Sequence, residues 1–262
     1  MRKYLAYFKI NVLKQLENRT NNIIWYVYGL VRCFISYVVW NSVYGDKEVI
    51  AGFEREALLP YFFFMSILWY FIGGSFNYRV GEEIKNGDLN MYLFKPIHPI
   101  LQFIFREQGW KFASLVVIVP GFIVLSILFK ITFPIISVMH FLLFLCASIL
   151  AAIIFALWDM VIGMSAFFLQ NMRPVSRVNR IMYSFLSGRY VPLVLMPAWL
   201  STVNDLLFYR YTFAFPLEIV FVLHEIDIGT MFIKQMIWVV LMIFIFNLVF
   251  KLGIKRYEAV GA

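Results

Sequence analysis

Charged residues are scarce in this chain. Asp, Glu, Lys and Arg make up 15% of its 262 residues, whereas 62% are hydrophobic and the mean hydropathy is +0.79. A soluble domain is nearer to a quarter charged and half apolar. The composition therefore excludes an ordinary water-soluble fold. It indicates a membrane protein, because residues 112–129 and 135–155 form apolar runs close to the roughly 20 residues that a helix needs to cross a bilayer.

The chain also lacks the motifs that carry common enzyme chemistry. It contains no Gly-x-x-x-x-Gly-Lys-Ser/Thr phosphate loop, no His-Glu-x-x-His zinc motif and no Gly-x-Ser-x-Gly nucleophile elbow. Its histidines, His98, His140 and His224, lie in three separate segments, and Cys33 and Cys146 lie inside apolar runs. We therefore expect no catalytic site, no metal and no cofactor bound by this chain, which is not itself expected to be an enzyme.

The apolar runs predict an all-α, polytopic membrane protein with a single domain over residues 1–262. Six transmembrane helices are expected at residues 23–44, 57–78, 109–129, 135–166, 181–200 and 232–252. The fifth span contains Pro192 and Pro197, which predict a bent or broken helix.

Two segments next to these spans are expected to lie at the membrane surface. In residues 1–22, apolar side chains recur at helical spacing among Lys and Arg, which predicts an amphipathic interfacial helix. Residues 201–231 form an external segment with an apolar stretch at residues 211–223. That stretch contains Pro216 and is too short to span, so it predicts a re-entrant helix that dips into the outer leaflet.

Lys and Arg are distributed unevenly between the two sides of the predicted membrane domain. Sixteen lie in segments that are cytoplasmic if the N-terminus is inside, and four lie in the external segments. Because positive residues collect on the cytoplasmic side, both termini are expected in the cytoplasm, with the chain in the plasma membrane (the inner membrane in a bacterium). Membrane lipids are thus expected partners and nucleic acid is not, since no basic patch lies on a soluble fold.

Three charged residues fall well inside predicted spans: Arg32, Asp159 and Arg189. A charge at the bilayer centre costs about 2.5–3.5 kcal/mol on insertion scales, so each is expected to face protein or water. They could line a substrate path or a gate. The alternative is a structural role, such as a pair between Asp159 and Arg189, or snorkelling to the headgroups.

The cytoplasmic segment at residues 79–100 alternates apolar residues with charges and helix breakers. Its pattern predicts a short amphipathic helix, a turn at Gly87 where a positive φ is tolerated, and a second short helix that ends near Pro99. Such an element can dock in a groove of a soluble partner. The alternative is an ordinary surface loop.

Three stretches of the chain resemble a known family, the ABC-2-type exporter permeases. The signature after that family's second span, in the branch of drug or viologen export permeases, is similar to Ile84-x-x-Gly87-x-Leu89-x-x-x-Leu93-x-Lys95-Pro96-Ile97. Its fifth-span and C-terminal motifs are similar to Gly188-Arg189-x-x-Pro192-Leu193-x-x-x-Pro197-x-Trp199 and Gly253-Ile254-Lys255-Arg256-Tyr257-Glu258. The chain departs from the family pattern at Phe167-Phe168, where the family has an aromatic pair that contains Trp. The resemblance therefore does not identify the cargo.

The resemblance implies a permease subunit of an ATP-driven exporter of amphipathic or drug-like cargo. Its partners would be a second permease, identical or homologous, and two copies of a separate ABC ATPase that holds ATP and Mg²⁺. The implied ATPase-coupling residues are Gly81, Glu82, Glu83, Ile84, Gly87, Asp88, Leu89, Leu93, Lys95 and Pro96. Two alternatives stay open: a gradient-driven secondary carrier, and a membrane scaffold or enzyme.

Overall fold

The structure is a computed structural model that describes residues 2–17, 19–74, 76–88, 99–221 and 227–257. Its α-helices are α1 (Arg2–Glu17), α2 (Arg19–Tyr44), α3 (Leu58–Ile72), α4 (Phe76–Lys85), α5 (Pro99–Leu128), α6 (Val138–Met164), α7 (Arg173–Leu186), α8 (Ala198–Asp205), α9 (Ala214–Phe221) and α10 (Ile228–Ile254). Single 3-10 turns lie at Arg55–Ala57, Ser165–Phe167 and Leu193–Leu195. A small antiparallel hairpin pairs β1 (Val49–Ile50) with β2 (Phe53–Glu54). The predicted helical architecture is confirmed.

Helix α6 forms the centre of the bundle, where it packs against α3, α4, α9 and α10. Its buried face carries small residues, Ala147 and Ala151, which let the neighbouring helices approach closely. On that face the buried side chain of Gln235, from α10, donates a hydrogen bond of 2.9 Å to the carbonyl oxygen of Ala147. Most of the other buried residues of α6 are apolar, and the polar exceptions are Ser148 and Asp159.

Four helical stretches in the described residues are long and apolar enough to cross a membrane. They are Arg55–Lys85, Ile104–Leu128, Val138–Phe167 and Ile228–Ile254. They coincide with the second, third, fourth and sixth predicted spans. On the last three of them, many large apolar side chains point out of the bundle and are exposed, as a lipid solvent requires. The chain is therefore a multi-pass membrane protein.

The structure gives less support to the other two predicted spans, so six spans are not confirmed. The first span forms a helix, α2, but α2 is not among the four stretches that meet the length and hydropathy criteria. The fifth span is not one helix, because α7 ends at Leu186 and the chain turns at Gly188, whose φ is +81°. The expectation of a broken helix there agrees with the structure, although the break precedes Pro192 and Pro197.

Helix α1 begins and ends within the predicted N-terminal helix and packs along α5. The close approach occurs at Gly109 of α5, where a Cβ atom would lie 2.8 Å from the Cβ of Asn11. The rings of Phe8 and Phe112 meet beside it with their centroids 5.9 Å apart. Part of the apolar face of α1 is therefore used against protein, while Leu5 remains exposed.

Candidate functional site

The structure describes residues 79–88 of the predicted coupling segment, and residues 99–100 at its end, which begin α5. Helix α4 occupies its start, and Gly81 and Ile84 are buried there while Glu82 and Glu83 are half-buried. After α4 ends, Gly87 has a φ of +80° and Asp88 is half-buried, so the predicted turn is present. The remaining predicted coupling residues lie outside the described residues: Leu89, Leu93, Lys95 and Pro96.

The second predicted span is divided into two helices, α3 and α4, by an extended backbone at Gly73. A break inside a membrane domain leaves backbone groups that need partners. The ammonium group of Lys111, on α5, donates a hydrogen bond of 2.6 Å to the carbonyl oxygen of Ile72. The backbone N–H of Asn77 donates one of 2.9 Å to Oδ2 of Asp159, on α6. Side chains from two other helices therefore bond the backbone groups that the break leaves free.

Asp159 is bound through both of its carboxylate oxygens to α4. Besides the backbone contact, the side-chain amide of Asn77 donates a hydrogen bond of 2.5 Å to Oδ1 of Asp159. The two helices touch closely at Gly163, where a Cβ atom would lie 2.9 Å from the carbonyl oxygen of Asn77 and 2.9 Å from the Cβ of Val80. One turn further along α4, a Cβ at Gly81 would overlap the side chain of Met172. Helix α4 therefore lies directly on α6.

Two ion pairs join α4 to α5. Nη1 of Arg79 lies 2.7 Å from Oε1 of Glu107, and Nη1 of Arg106 lies 2.5 Å from Oε1 of Glu83. Helix α1 lies beside the second pair: burial raises the pKa of Tyr7, the Arg106 guanidinium opposes that shift, and the Glu83 carboxylate adds to it. Helix α4 is thus attached on two sides.

We call these side chains the α4 anchor: Asn77, Arg79, Glu83, Arg106, Glu107, Lys111 and Asp159. The group holds three cationic and three anionic residues, so its charges balance. Isolated buried charges are costly, whereas balanced and hydrogen-bonded ones are tolerated. The anchor makes α4, α5 and α6 a connected unit at the end of the bundle from which the coupling segment leaves.

Of the three intramembrane charges, Asp159 belongs to the α4 anchor and the two arginines lie elsewhere. The guanidinium carbon of Arg189 lies 3.4 Å from the centroid of the Trp69 ring, and that of Arg32 lies 5.9 Å from the same centroid. Within the described residues, Asp159 and Arg189 do not pair, because Asp159 is bonded to Asn77. Cation–π contact, rather than an ion pair, accommodates Arg189.

The sequence reasoning missed the partners that hold α4. Arg79 begins the predicted coupling segment, Arg106 and Lys111 contribute to the positive-inside bias, and the sequence pattern assigns no partner to any of them or to Glu107. The useful signal was the spacing of Glu107 and Lys111, which stand four residues apart next to Arg106, at the start of an apolar helix. Charges at such a position are expected to be paired.

Among the described residues, no three His, Cys, Asp or Glu side chains form a group that could hold a metal ion. The polar groups of the α4 anchor are arranged to hold helices together through hydrogen bonds and ion pairs. They are suited to transmitting a displacement.

Most of the chain matches the model of a known protein family. A family described as ABC-2 family transporter protein matches residues 30–261. The chain belongs to the ABC-2 transporter family. Membership makes it a membrane subunit of a transporter and implies association with ABC ATPase subunits. No curated protein matches the chain.

Proposed function

We propose that this ABC-2 protein is the permease subunit of an ATP-driven exporter. It would pair with a second permease, identical or homologous, and bind two separate ATPase subunits. The coupling segment at residues 79–100 would contact the ATPase. Export would carry an amphipathic or drug-like cargo out across the plasma membrane.

The attachment of α4 is the observation that supports this proposal most directly. A segment that receives ATPase motion must move together with the helices that line the pathway. Helix α4 is fixed to α5 through Arg79 and Arg106 and to α6 through Asp159. A displacement of α4 is therefore expected to displace both helices, and with them the membrane domain.

The motifs that the sequence lacks support a separate ATPase subunit as the source of energy. The sequence contains no phosphate loop, so nucleotide hydrolysis would belong to the partner. The bias of Lys and Arg supports a cytoplasmic location for the coupling segment at residues 79–100 and for both termini, where an ATPase subunit would lie. The 29 Phe, 15 Tyr and 7 Trp residues provide apolar and aromatic surface for an amphipathic cargo.

The proposal is tested by ATP-dependent transport in inverted membrane vesicles, with a fluorescent amphipathic dye as the probe. The variant carries Glu82→Arg and Asp88→Arg, two half-buried acids of the coupling segment that form no ion pair in the described residues. Reversing charges at a docking surface is expected to lower ATP-dependent dye uptake by about tenfold or more. The matched control is Asp46→Arg, an exposed acid between α2 and β1, which is expected to leave uptake unchanged.

Two outcomes would contradict the proposal. Uptake that depends on an ion gradient and not on ATP would indicate a secondary carrier. Normal ATP-dependent uptake in the Glu82→Arg, Asp88→Arg variant would show that the segment does not couple the ATPase to transport.

A further inference from the structure

A second feature, a cavity, lies at the end of α3 away from α4. It has a volume of about 180 Å³ and is lined by residues from β2, α3, the 3-10 turn at Leu193–Leu195, α8 and α9. Because one water molecule occupies about 30 Å³ in the liquid, the cavity has room for a small organic molecule. The α4 anchor contributes no residue to its walls.

Three aromatic rings from three different elements meet in the cavity wall. The Tyr61 ring centroid lies 5.7 Å from that of Phe53 and 5.7 Å from that of Phe221, and both contacts are edge-to-face. The hydroxyl of Tyr61 is already engaged, since it donates a hydrogen bond of 2.9 Å to the carbonyl oxygen of Gly188. What Tyr61 offers to a ligand is therefore its ring. Aromatic walls of this kind favour cations, above all ammonium groups with attached carbon.

The charges beside these rings carry an excess of negative charge. Nη2 and Nε of Arg210 lie 3.0 and 3.3 Å from Oε2 of Glu218, and Nη1 of Arg210 also pairs with Asp205. One guanidinium therefore meets two carboxylates, which leaves the group with a net charge of −1. Arg210 and Glu218 both line the cavity.

One oxygen of Glu218 remains available to a ligand. Both contacts of its carboxylate with Arg210 use Oε2, and within the described residues Oε1 has no hydrogen-bond partner. If the ion pairs of Arg210 only stabilised the turn between α8 and α9, one carboxylate would be enough for its one guanidinium. A purely structural role does not explain the second carboxylate beside an aromatic cavity.

We propose that this cavity is a binding site for a small organic cation with an alkylated ammonium group. The rings of Phe53, Tyr61 and Phe221 would surround the alkyl groups, and the Glu218 carboxylate would neutralise the charge. The inference does not depend on ATPase coupling, because it concerns a different end of the molecule.

The test uses the purified full-length chain in dodecyl maltoside, a neutral detergent that contains no ammonium group. Binding of choline is measured by calorimetry and compared with that of 3,3-dimethylbutanol, which has the same shape without the charge. Choline is expected to bind at least about tenfold more tightly than the neutral alcohol. Tetramethylammonium to tetrapropylammonium ions then define the size that the cavity accepts.

Two variants and one control locate the binding. Glu218→Gln preserves the side-chain shape and removes the excess charge, so choline affinity is expected to fall by about tenfold or more. Ser201→Trp places a large side chain at the half-buried cavity wall and is expected to abolish binding of every probe. Asp46→Asn removes an exposed charge that does not line the cavity and is expected to change nothing.

Three results would overturn the proposal. They are equal affinity for choline and the neutral alcohol, saturable choline binding that persists in Ser201→Trp, and no saturable binding of any of these ions up to about 10 mM. Each variant is first checked for a single symmetric peak in size-exclusion chromatography. If Glu218→Gln fails this check, Ser201→Trp and the charged and neutral probe pair still decide the outcome.

Discussion

The contacts of the α4 anchor predict that replacing Arg79 destabilises the protein more than replacing Arg106. The exposure of the two arginines alone would suggest the opposite order. The side chain of Arg79 is 40% exposed and that of Arg106 is 17% exposed, so Arg79 would be judged the less important. Their partners reverse this order, because Glu107 is 1% exposed and Glu83 is 19% exposed. Replacing Arg79 leaves a buried carboxylate without its ion pair, whereas replacing Arg106 leaves one that water can reach.

The magnitudes follow from the cost of breaking ion pairs. Removing one partner of a fully buried pair costs about 3–5 kcal/mol in the free energy of unfolding. For Arg79→Met we expect about 3 kcal/mol, the lower end, because Arg79 is itself 40% exposed and because Lys111, one helical turn from Glu107, offsets part of the Glu107 charge. For Arg106→Met we expect about 1–2 kcal/mol, since Glu83 can be partly hydrated.

A double variant separates the lost pair from the buried charge. Adding Glu107→Gln to Arg79→Met removes the orphaned carboxylate and leaves Lys111 and Asp159 as a balanced set. The double variant is therefore expected to be more stable than Arg79→Met alone by about 1–2 kcal/mol.

The assay is unfolding by sodium dodecyl sulfate in mixed micelles, followed by circular dichroism. Lys85→Met is the control, because Lys85 is exposed on α4 and forms no ion pair in the described residues, and its effect should stay within about 0.5 kcal/mol. A larger cost for Arg106→Met than for Arg79→Met, or a double variant less stable than Arg79→Met, would refute this account of α4.

Three further predictions concern other parts of the protein. Gly163→Ala should lower the free energy of unfolding by about 1–3 kcal/mol, because the added Cβ meets the backbone of α4, whereas Gly121→Ala, where the Cβ meets open space, should be neutral or stabilising in the same unfolding assay. A double-mutant cycle on thermal stability should give a coupling of about 1–2 kcal/mol between Arg189 and Trp69, and a coupling near zero would show that the cation–π contact is absent. Burial raises the pKa of Glu218, although the Arg210 guanidinium opposes this shift. Choline affinity measured by calorimetry should therefore fall as the pH drops through the raised pKa. A choline affinity that does not change with pH in the range above the usual pKa of Glu would contradict this. The ionisable groups around Glu218 are Arg210, Asp205, Tyr61 and Tyr211.

Hydrophobic patterning predicted the long helices well, because their apolar faces extend over whole turns. The third predicted span began at residue 109, yet α5 begins at Pro99. Gln102 and Glu107 lie in the stretch between them and are buried, and the packing of α5 against α1 is a tertiary contact that local hydropathy does not record. For the same reason the sequence pattern does not indicate that Glu107 and Lys111 are buried.

The division of the second span into α3 and α4 could be suspected from Gly73 and Gly74 but not decided. Glycines in a membrane helix are common, and a break is stable only if other helices supply partners. Those partners, Lys111 and Asp159, lie 39 and 82 residues along the chain from Ile72 and Asn77, respectively. Long-range pairing of this kind is not contained in a local pattern.

The pairing of intramembrane charges was likewise beyond the sequence. Asp159 and Arg189 have opposite charges and neighbouring predicted spans, which made an ion pair reasonable. The break near Gly188 changes the course of the chain, and Arg189 is placed on the ring of Trp69 instead. The choice depends on a backbone turn that hydropathy did not locate.

The central claim is that the coupling segment joins an ATPase to this membrane domain. Its most direct test is purification of the tagged chain from its native membrane in a mild detergent, with partners identified by mass spectrometry and ATP hydrolysis assayed. The account predicts that an ATP-hydrolysing subunit is recovered in about equal amount, and that it is lost from the Glu82→Arg, Asp88→Arg variant and retained by Asp46→Arg. Recovery of the chain alone, with no nucleotide-dependent activity, would contradict the claim and favour a carrier or a scaffold.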